Sequence, residues 1–242
     1  PLIKKSDLAL QPEMKVSIPY RGFQLAAVIR IPQGPSRKSP RLPVILDVSG
    51  GHNLEWLKIP QVISVSVSGF TPREFSDEGR DGFLKILKFV AHCAHGDLTR
   101  LWMTGFSWAA HASFDTAYHR PSQIRGIIPM GGGPRRNHFR VLPNLSTTAV
   151  LACCGGKDDK ELIWNLREVD RLKNKLKLDY ALHIDPEQGH NLPLKGMMGA
   201  APLIAKSMPL PIADKGTILV DGINVANSFL RVTRVVTKLV AL

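Results

Sequence analysis

Three residues of this 242-residue chain could together carry out nucleophilic catalysis: Ser107, Asp158 and His190. A serine hydroxyl is a weak nucleophile until a base accepts its proton, and the base needs an acidic group to hold its tautomer. The three residues occur in the order serine, aspartate, histidine, and each follows a different predicted strand. Because parallel strands end at the same edge of a sheet, we expect the three side chains to meet there.

The proposed nucleophile, Ser107, lies in the run Gly-Phe-Ser-Trp-Ala (105–109), between a predicted strand at 100–104 and a predicted helix at 108–119. A sharp turn from strand to helix crowds the backbone, so it needs small residues two positions before and after the serine. Glycine and alanine meet that need here. Such a turn lifts the hydroxyl above the sheet, beside the positive end of the helix dipole. The structural alternative is a serine that only caps the helix.

The acid and the base are expected in loops that follow two later strands. The run Gly-Gly-Lys-Asp-Asp (155–159) contains Asp158, which we prefer as the acid, and Asp159, which remains the alternative acid. A polar loop that caps the next helix would explain both aspartates equally well. His190 follows Gly189 in the loop after a predicted strand at 180–184. The other seven histidines lie mostly on predicted helices or strands.

Acyl transfer also requires hydrogen-bond donors for the oxyanion that forms in the transition state. One donor is expected to be the backbone N–H of Trp108, next to the nucleophile. The other is expected from the run Ser-Gly-Gly-His (49–52), which follows a predicted strand at 44–48. We favour Gly51 there, with His52 as a lesser candidate, because glycine lets the backbone approach a substrate closely.

The elements that must position these residues alternate between strand and helix. Alternation of this kind predicts an α/β fold with a mostly parallel central sheet flanked by helices. We expect a catalytic domain over 1–208 and a short β-rich C-terminal extension over 209–242, either an added hairpin or the start of a truncated module. The predicted strands are 25–31, 44–48, 62–67, 100–104, 124–130, 149–154 and 180–184, and the predicted helices are 81–95, 108–119, 160–177 and a short one after 191.

From about residue 44 to 190 the chain resembles the α/β-hydrolase superfamily. It is most similar to the branch of dienelactone hydrolases and polyhydroxybutyrate-depolymerase-like esterases, on the runs 49–51, 105–109, 156–159 and 189–190. The resemblance implies a serine esterase with a Ser-His-Asp triad, an acyl-enzyme intermediate and no cofactor. The chain departs from the family pattern at three positions.

The departures all concern the nucleophile and the oxyanion loop. Ser49 stands where the family usually has histidine, and Ala109 stands where it usually has the second glycine of the turn. Trp108 is bulky and is expected to stand over the nucleophile and narrow the acyl pocket. There are two rival functions: a peptidase or amidase of the same fold, which uses the same three residues, and a basic hydrolase-like binding protein that has lost activity.

Composition limits the remaining functions. The substrate is expected to be a small-molecule or polymer-linked ester, and the net charge of +12 favours an acidic or polymer-linked one. No basic stretch is interleaved with aromatic residues, so we expect no nucleic-acid partner. No apolar run approaches the roughly 20 residues that span a bilayer. The sequence has neither a His-Glu-x-x-His motif nor paired cysteine spacing, so no metal site is expected. No signal peptide is visible. Because the chain begins at Pro1, both a cytoplasmic and a processed secreted protein fit the sequence. The sequence predicts no particular oligomeric state.

Overall fold

The computed structural model describes residues 13–20, 23–32, 39–49, 59–68, 77–192 and 199–207. The strands within these ranges are β1 (Glu13–Tyr20), β2 (Phe23–Arg30), β3 (Leu42–Asp47), β4 (Ile63–Ser68), β5 (Gly96–Phe106), β6 (Gly126–Met130), β7 (Ala149–Gly155) and β8 (Tyr180–Asp185). The α-helices are α1 (Asp77–Cys93), α2 (Trp108–His119), α3 (Lys160–Leu176) and α4 (Ala200–Ala205), and a 3₁₀ segment covers Arg136–Thr147.

The strands form one sheet in the order β1-β2-β4-β3-β5-β6-β7-β8. The pairs β1–β2 and β2–β4 are antiparallel, and the five pairs from β4–β3 to β7–β8 are parallel. All residues of β6 and nearly all of β3 and β4 are buried. Continuous burial is typical of strands that helices cover on both faces.

Apolar side chains from successive residues of each strand point to opposite faces of the sheet. In β3, Val44 and Leu46 pack in the larger core with apolar residues of α1, α2 and α3, whereas Ile45 packs on the other face with α4. Trp102 of β5 lies on the same face as Ile45. The sheet is therefore a middle layer between helices. Loops follow the carboxyl ends of its parallel strands.

The predicted fold class, an α/β fold with a mostly parallel sheet flanked by helices, is confirmed. The helix predicted at 108–119 has those bounds, and the other predicted elements shift by a few residues at their ends. The sequence analysis did not assign β1, although Met14, Val16 and Ile18 alternate along it and are half-buried. The proposed β-rich extension at 209–242 lies outside the described residues. No helix in the described ranges is long and apolar enough to cross a membrane.

Candidate active site

Ser107 occupies a sharp turn between β5 and α2. Its backbone has φ 58° and ψ −120°, a positive-φ conformation that costs free energy for any residue other than glycine. The Ser107 N–H donates to the carbonyl oxygen of Met130 at 2.8 Å, which ties the turn to β6. The serine side chain makes no capping hydrogen bond to α2. A helix-capping role therefore does not account for this serine.

The turn is possible because small residues face each other across it. A Cβ atom on Gly105 would lie 2.4 Å from the backbone oxygen of Ala109 and 2.6 Å from its methyl carbon. Contacts this short exclude a side chain at 105 unless the helix moves. The Ala109 methyl fits because Gly105 has none, so the departure from glycine at 109 is compatible with the tight turn.

Ser107, His190 and Asp158 lie in one hydrogen-bonded line at the carboxyl edge of the sheet. His190 Nε2 lies 2.8 Å from Ser107 Oγ, and His190 Nδ1 lies 2.9 and 3.0 Å from the two carboxylate oxygens of Asp158. An ionised carboxylate only accepts hydrogen bonds, so the proton of the neutral imidazole is on Nδ1 and Nε2 is free to accept from the serine. The Asp158 side chain is buried, whereas His190 reaches the surface.

The two neighbouring aspartates have different partners. Asp159 is the N-cap of α3, and its carboxylate accepts a hydrogen bond of 2.7 Å from the backbone N–H of Glu161. The backbone N–H of Asp159 donates to Asp158 Oδ1 at 2.7 Å and helps to hold that carboxylate in place. Of the two candidate acids, Asp158 is the one that the structure brings to His190.

Of the two preferred oxyanion donors, the structure describes Trp108. Gly51 and His52 lie outside the described residues. Trp108 is the first residue of α2, where backbone N–H groups have no acceptor within the helix. Ser49 links the loop after β3 to the nucleophile turn, since its Oγ accepts from the Phe106 N–H at 2.9 Å.

The glycines at 131–133, which follow β6, also shape the site. A Cβ on Gly131, which has φ 57°, would lie 3.2 Å from His190 Cε1. A Cβ on Gly132 would lie 2.7 Å from the backbone oxygen of Ser107. The ring of Phe106, the last residue of β5, packs on His190 with ring centroids 4.7 Å apart. The triple glycine was the available signal for a place where the backbone closely approaches His190 and the Ser107 turn.

A cavity of about 870 Å³ opens beside His190. On one side of it the Arg135 guanidinium lies over the Trp108 ring, 5.1 Å from its centroid. Trp108 is 63% exposed and forms part of the cavity wall. Its predicted position over the serine stays a prediction. The lining residues are Trp108, His111, Arg135, Arg136, Lys157, Asp158, Asp159, Glu161, Leu162, Asn165 and His190.

His111 lies in this wall next to the nucleophile turn, where its Nδ1 contacts the carbonyl oxygen of Gly133. Burial lowers the pKa of His111, and the positive charge of Arg135 lowers it further, against the opposing effect of the Gly133 carbonyl. Both effects favour a neutral imidazole at this position. His111 thus adds a polar but uncharged group to the cavity.

The remaining candidate groups for chemistry are cysteines and metal ligands. Cys153 and Cys154 are buried at the end of β7, and burial raises the pKa of their thiols to about 12 and about 11. Thiols with such values are not nucleophiles near neutral pH. Among the residues that the structure describes, no group of three or more histidine, cysteine or acidic side chains is placed to hold a metal ion.

No protein-family model matches the chain, and no curated protein does. Solved structures match over most of it. An S-formylglutathione hydrolase from Staphylococcus aureus has a TM-score of 0.63 at 10% identity, covering 80% of this chain and 96% of that one. The chain has the α/β-hydrolase fold.

Two other structures with this fold are larger than the present chain. A thermostable esterase has a TM-score of 0.59 at 11% identity and covers 74% of this chain. The acylaminoacyl peptidase of Pyrococcus horikoshii has a TM-score of 0.63 at 12% identity and covers 85%. The present chain spans 56% and 43% of their lengths. These likenesses show the fold alone, and the narrower assignment to the dienelactone hydrolase branch stays a prediction.

Proposed function

We propose that this protein is a serine hydrolase that cleaves carboxylic esters through an acyl-enzyme intermediate. The observation that carries the proposal is the hydrogen-bonded line of Ser107, His190 and Asp158, with 2.8 Å between His190 Nε2 and Ser107 Oγ. His190 is 83 positions from Ser107 and 32 positions from Asp158 in the chain. The three residues come together because each follows the carboxyl end of a parallel strand. The strained serine backbone and the lack of a capping bond support a role in chemistry over one in helix capping.

In the proposed reaction, Ser107 Oγ attacks the ester carbonyl carbon while His190 Nε2 takes the hydroxyl proton. Asp158 keeps the imidazole in the reactive tautomer and stabilises the imidazolium. The backbone amides of Trp108 and Gly51 are the proposed donors to the oxyanion. As the tetrahedral intermediate collapses, His190 returns the proton to the leaving alcohol. The same base then deprotonates water, which attacks the acyl-enzyme and releases the acid and Ser107.

A peptidase or amidase activity is the second candidate, because the matched structures include acylaminoacyl peptidases as well as esterases. Both reactions use the same three side chains. An amine is a poorer leaving group than an alcohol, so an amidase must deliver its proton more efficiently. We place ester hydrolysis first on the resemblance in the sequence, and rates on paired ester and anilide substrates decide between the two.

The test uses p-nitrophenyl butyrate, the corresponding p-nitroanilide and a fluorophosphonate probe. We expect the rate enhancement over uncatalysed hydrolysis to be larger for the ester than for the anilide, with the probe attached to Ser107. Ser107→Ala and His190→Ala should each lower kcat by about 10⁴-fold or more. Ser122→Ala, in the loop before β6, and His183→Ala, exposed on β8, are the matched controls and should retain activity. An active, unlabelled Ser107→Ala variant would refute the proposal.

A further inference from the structure

The charged side chains around the cavity have partners within the protein. Arg136 Nε lies 3.5 Å from a carboxylate oxygen of Glu161, and Lys157 Nζ lies 2.7 Å from one of Glu187. Arg135 lies over an aromatic ring of the wall. The positive groups are therefore matched by acids or stacked, and the wall carries no concentrated charge of one sign. This pattern does not favour a charged substrate group.

Asn165 differs from these charged residues: it is a buried polar residue of the wall whose amide oxygen has no hydrogen-bond partner among the described residues. It is 4% exposed and lies on α3. The other two buried residues of that helix, Leu166 and Val169, are apolar. Asn165 Oδ1 is buried and makes no hydrogen bond within the part of the chain that the structure describes. A buried amide oxygen without a donor costs free energy, and the described residues supply no donor to this one.

The surroundings of Asn165 connect it to the catalytic residues. A Cβ on Gly133 would lie 3.3 Å from Asn165 Cβ and 3.1 Å from Leu166 Cδ2, so α3 packs directly on the glycine segment. The carbonyl of Gly133 contacts His111, which lies one helical turn after Ser107. Asn165 lines the same cavity as His190 and Asp158. Leu162, one turn earlier on α3, adds an apolar surface beside it.

We propose that Asn165 is a specificity-determining residue that selects esters carrying an uncharged hydrogen-bond donor, a hydroxyl or a secondary amide N–H. This inference rests on the ester hydrolysis proposed above. The donor occupies the cavity and binds the Asn165 amide oxygen, while alkyl carbons of the same substrate contact Leu162. Asn165 lines the cavity and the terminal torsion of asparagine is broad, so rotation of the amide can present its oxygen to a substrate there.

A site with a buried polar group discriminates strongly against a substrate that leaves the group unpaired. The test compares p-nitrophenyl esters in isosteric pairs. The first pair is 3-hydroxybutyrate and 3-methylbutyrate, and the second is N-acetylglycinate and 4-oxopentanoate. We expect kcat/KM to be about 10- to 100-fold higher for the donor in each pair. The hemisuccinate ester, which is anionic, should show no such advantage.

A second arm locates the donor in the substrate. Acetate esters of 1,3-butanediol and of 3-methyl-1-butanol test the alcohol side in the same way as the first arm tests the acyl side. A preference in either arm supports the proposal and names the side. Equal kcat/KM within both arms for the wild-type protein would overturn it.

The variant test replaces the amide by an apolar group of similar size. Asn165→Leu should reduce the donor preference by about 10-fold or more, and Asn174→Leu, the same change at an exposed position of α3, should leave it unchanged. Asn165→Leu should also keep or raise Tm, because it removes an unpaired buried polar group. A lower Tm with an intact preference would show that Asn165 is a structural residue.

The proposed function can fail separately from this inference. If Ser107→Ala abolishes butyrate hydrolysis while the isosteric pairs react equally, the protein is an esterase and the role of Asn165 is wrong. If Ser107→Ala remains active, the proposed function itself is wrong, and the role of Asn165 falls with it.

Discussion

The adjacent residues Asp158 and Asp159 allow one substitution to be tested in two environments. Asp158→Asn is expected to lower kcat by about 10³- to 10⁴-fold, which is about 4–5 kcal/mol of transition-state stabilisation. The Asp159 N–H, 2.7 Å from Asp158 Oδ1, should hold the remaining oxygen at that position. The new NH₂ group then occupies the Oδ2 position, 3.0 Å from His190 Nδ1.

An NH₂ group beside Nδ1 favours the imidazole tautomer with its proton on Nε2, and that tautomer cannot accept the Ser107 proton. The substitution also removes the negative charge that stabilises the imidazolium. Oxyanion stabilisation and substrate binding remain, so a residual rate above the uncatalysed one is expected. The assay is the initial rate of p-nitrophenyl butyrate hydrolysis, normalised to the concentration of folded protein.

Asp159→Asn is the matched control. Asparagine caps a helix about as well as aspartate, so α3 should be retained and kcat should change by no more than about twofold. Asp159→Ala should instead lower the free energy of unfolding by about 1 kcal/mol, with a small effect on kcat. The reasoning would be refuted if Asp159→Asn were the slow variant, or if Asp158→Asn kept more than a tenth of the wild-type kcat.

Three further perturbations follow from the structure. Gly105→Ala would place a methyl carbon 2.4 Å from a backbone oxygen of α2. We therefore expect a loss of about 1–3 kcal/mol in unfolding free energy and at least a 10-fold lower kcat/KM. Unchanged urea unfolding and unchanged activity would contradict the tight turn. Because burial lowers the pKa of His111 below 6.5, the unfolded state binds a proton that the folded state does not. The free energy of unfolding should therefore fall as the pH drops below about 6.5, and His111→Gln should flatten that dependence between pH 8 and 5; an equal slope in both proteins would argue against it. Iodoacetamide at pH 8 should modify the half-buried Cys93 before Cys153 and Cys154, whose thiol pKa values of about 12 and about 11 keep them protonated; mass spectrometry would show the reverse order if they were reactive.

Much of the catalytic edge could be predicted from the sequence because its signals are local. The small residues Gly105 and Ala109 in the turn at 105–109 have a steric cause that holds in any fold with a strand and a helix at that place. The alternation of strands and helices predicts parallel pairing, and parallel pairing predicts that the loops after β5, β7 and β8 share an edge. Those inferences need no distances.

Local signals were insufficient where the antiparallel edge of the sheet begins. β1 has a polar, half-exposed pattern with Met14, Val16 and Ile18 on its covered side. An edge strand of this kind is stabilised by its pairing with β2 rather than by its own composition, so its sequence resembles a polar loop. The antiparallel pairing of β1 with β2 and of β2 with β4 likewise depends on the tertiary structure.

The sequence by itself predicted the order of the candidate nucleophile, acid and base, the small residues of the turn and the class of the sheet, since each follows from residue types and from the alternation of strand and helix patterns along the chain. Tertiary structure alone decided that Asp158 contacts His190 while Asp159 caps α3, because adjacent residues diverge according to how the loop meets the helix. It also decided that Asn165 is buried in the wall of the cavity, with an amide oxygen that no described residue pairs. Burial and unpaired polar atoms are properties of distant segments packed together, and no local pattern encodes them.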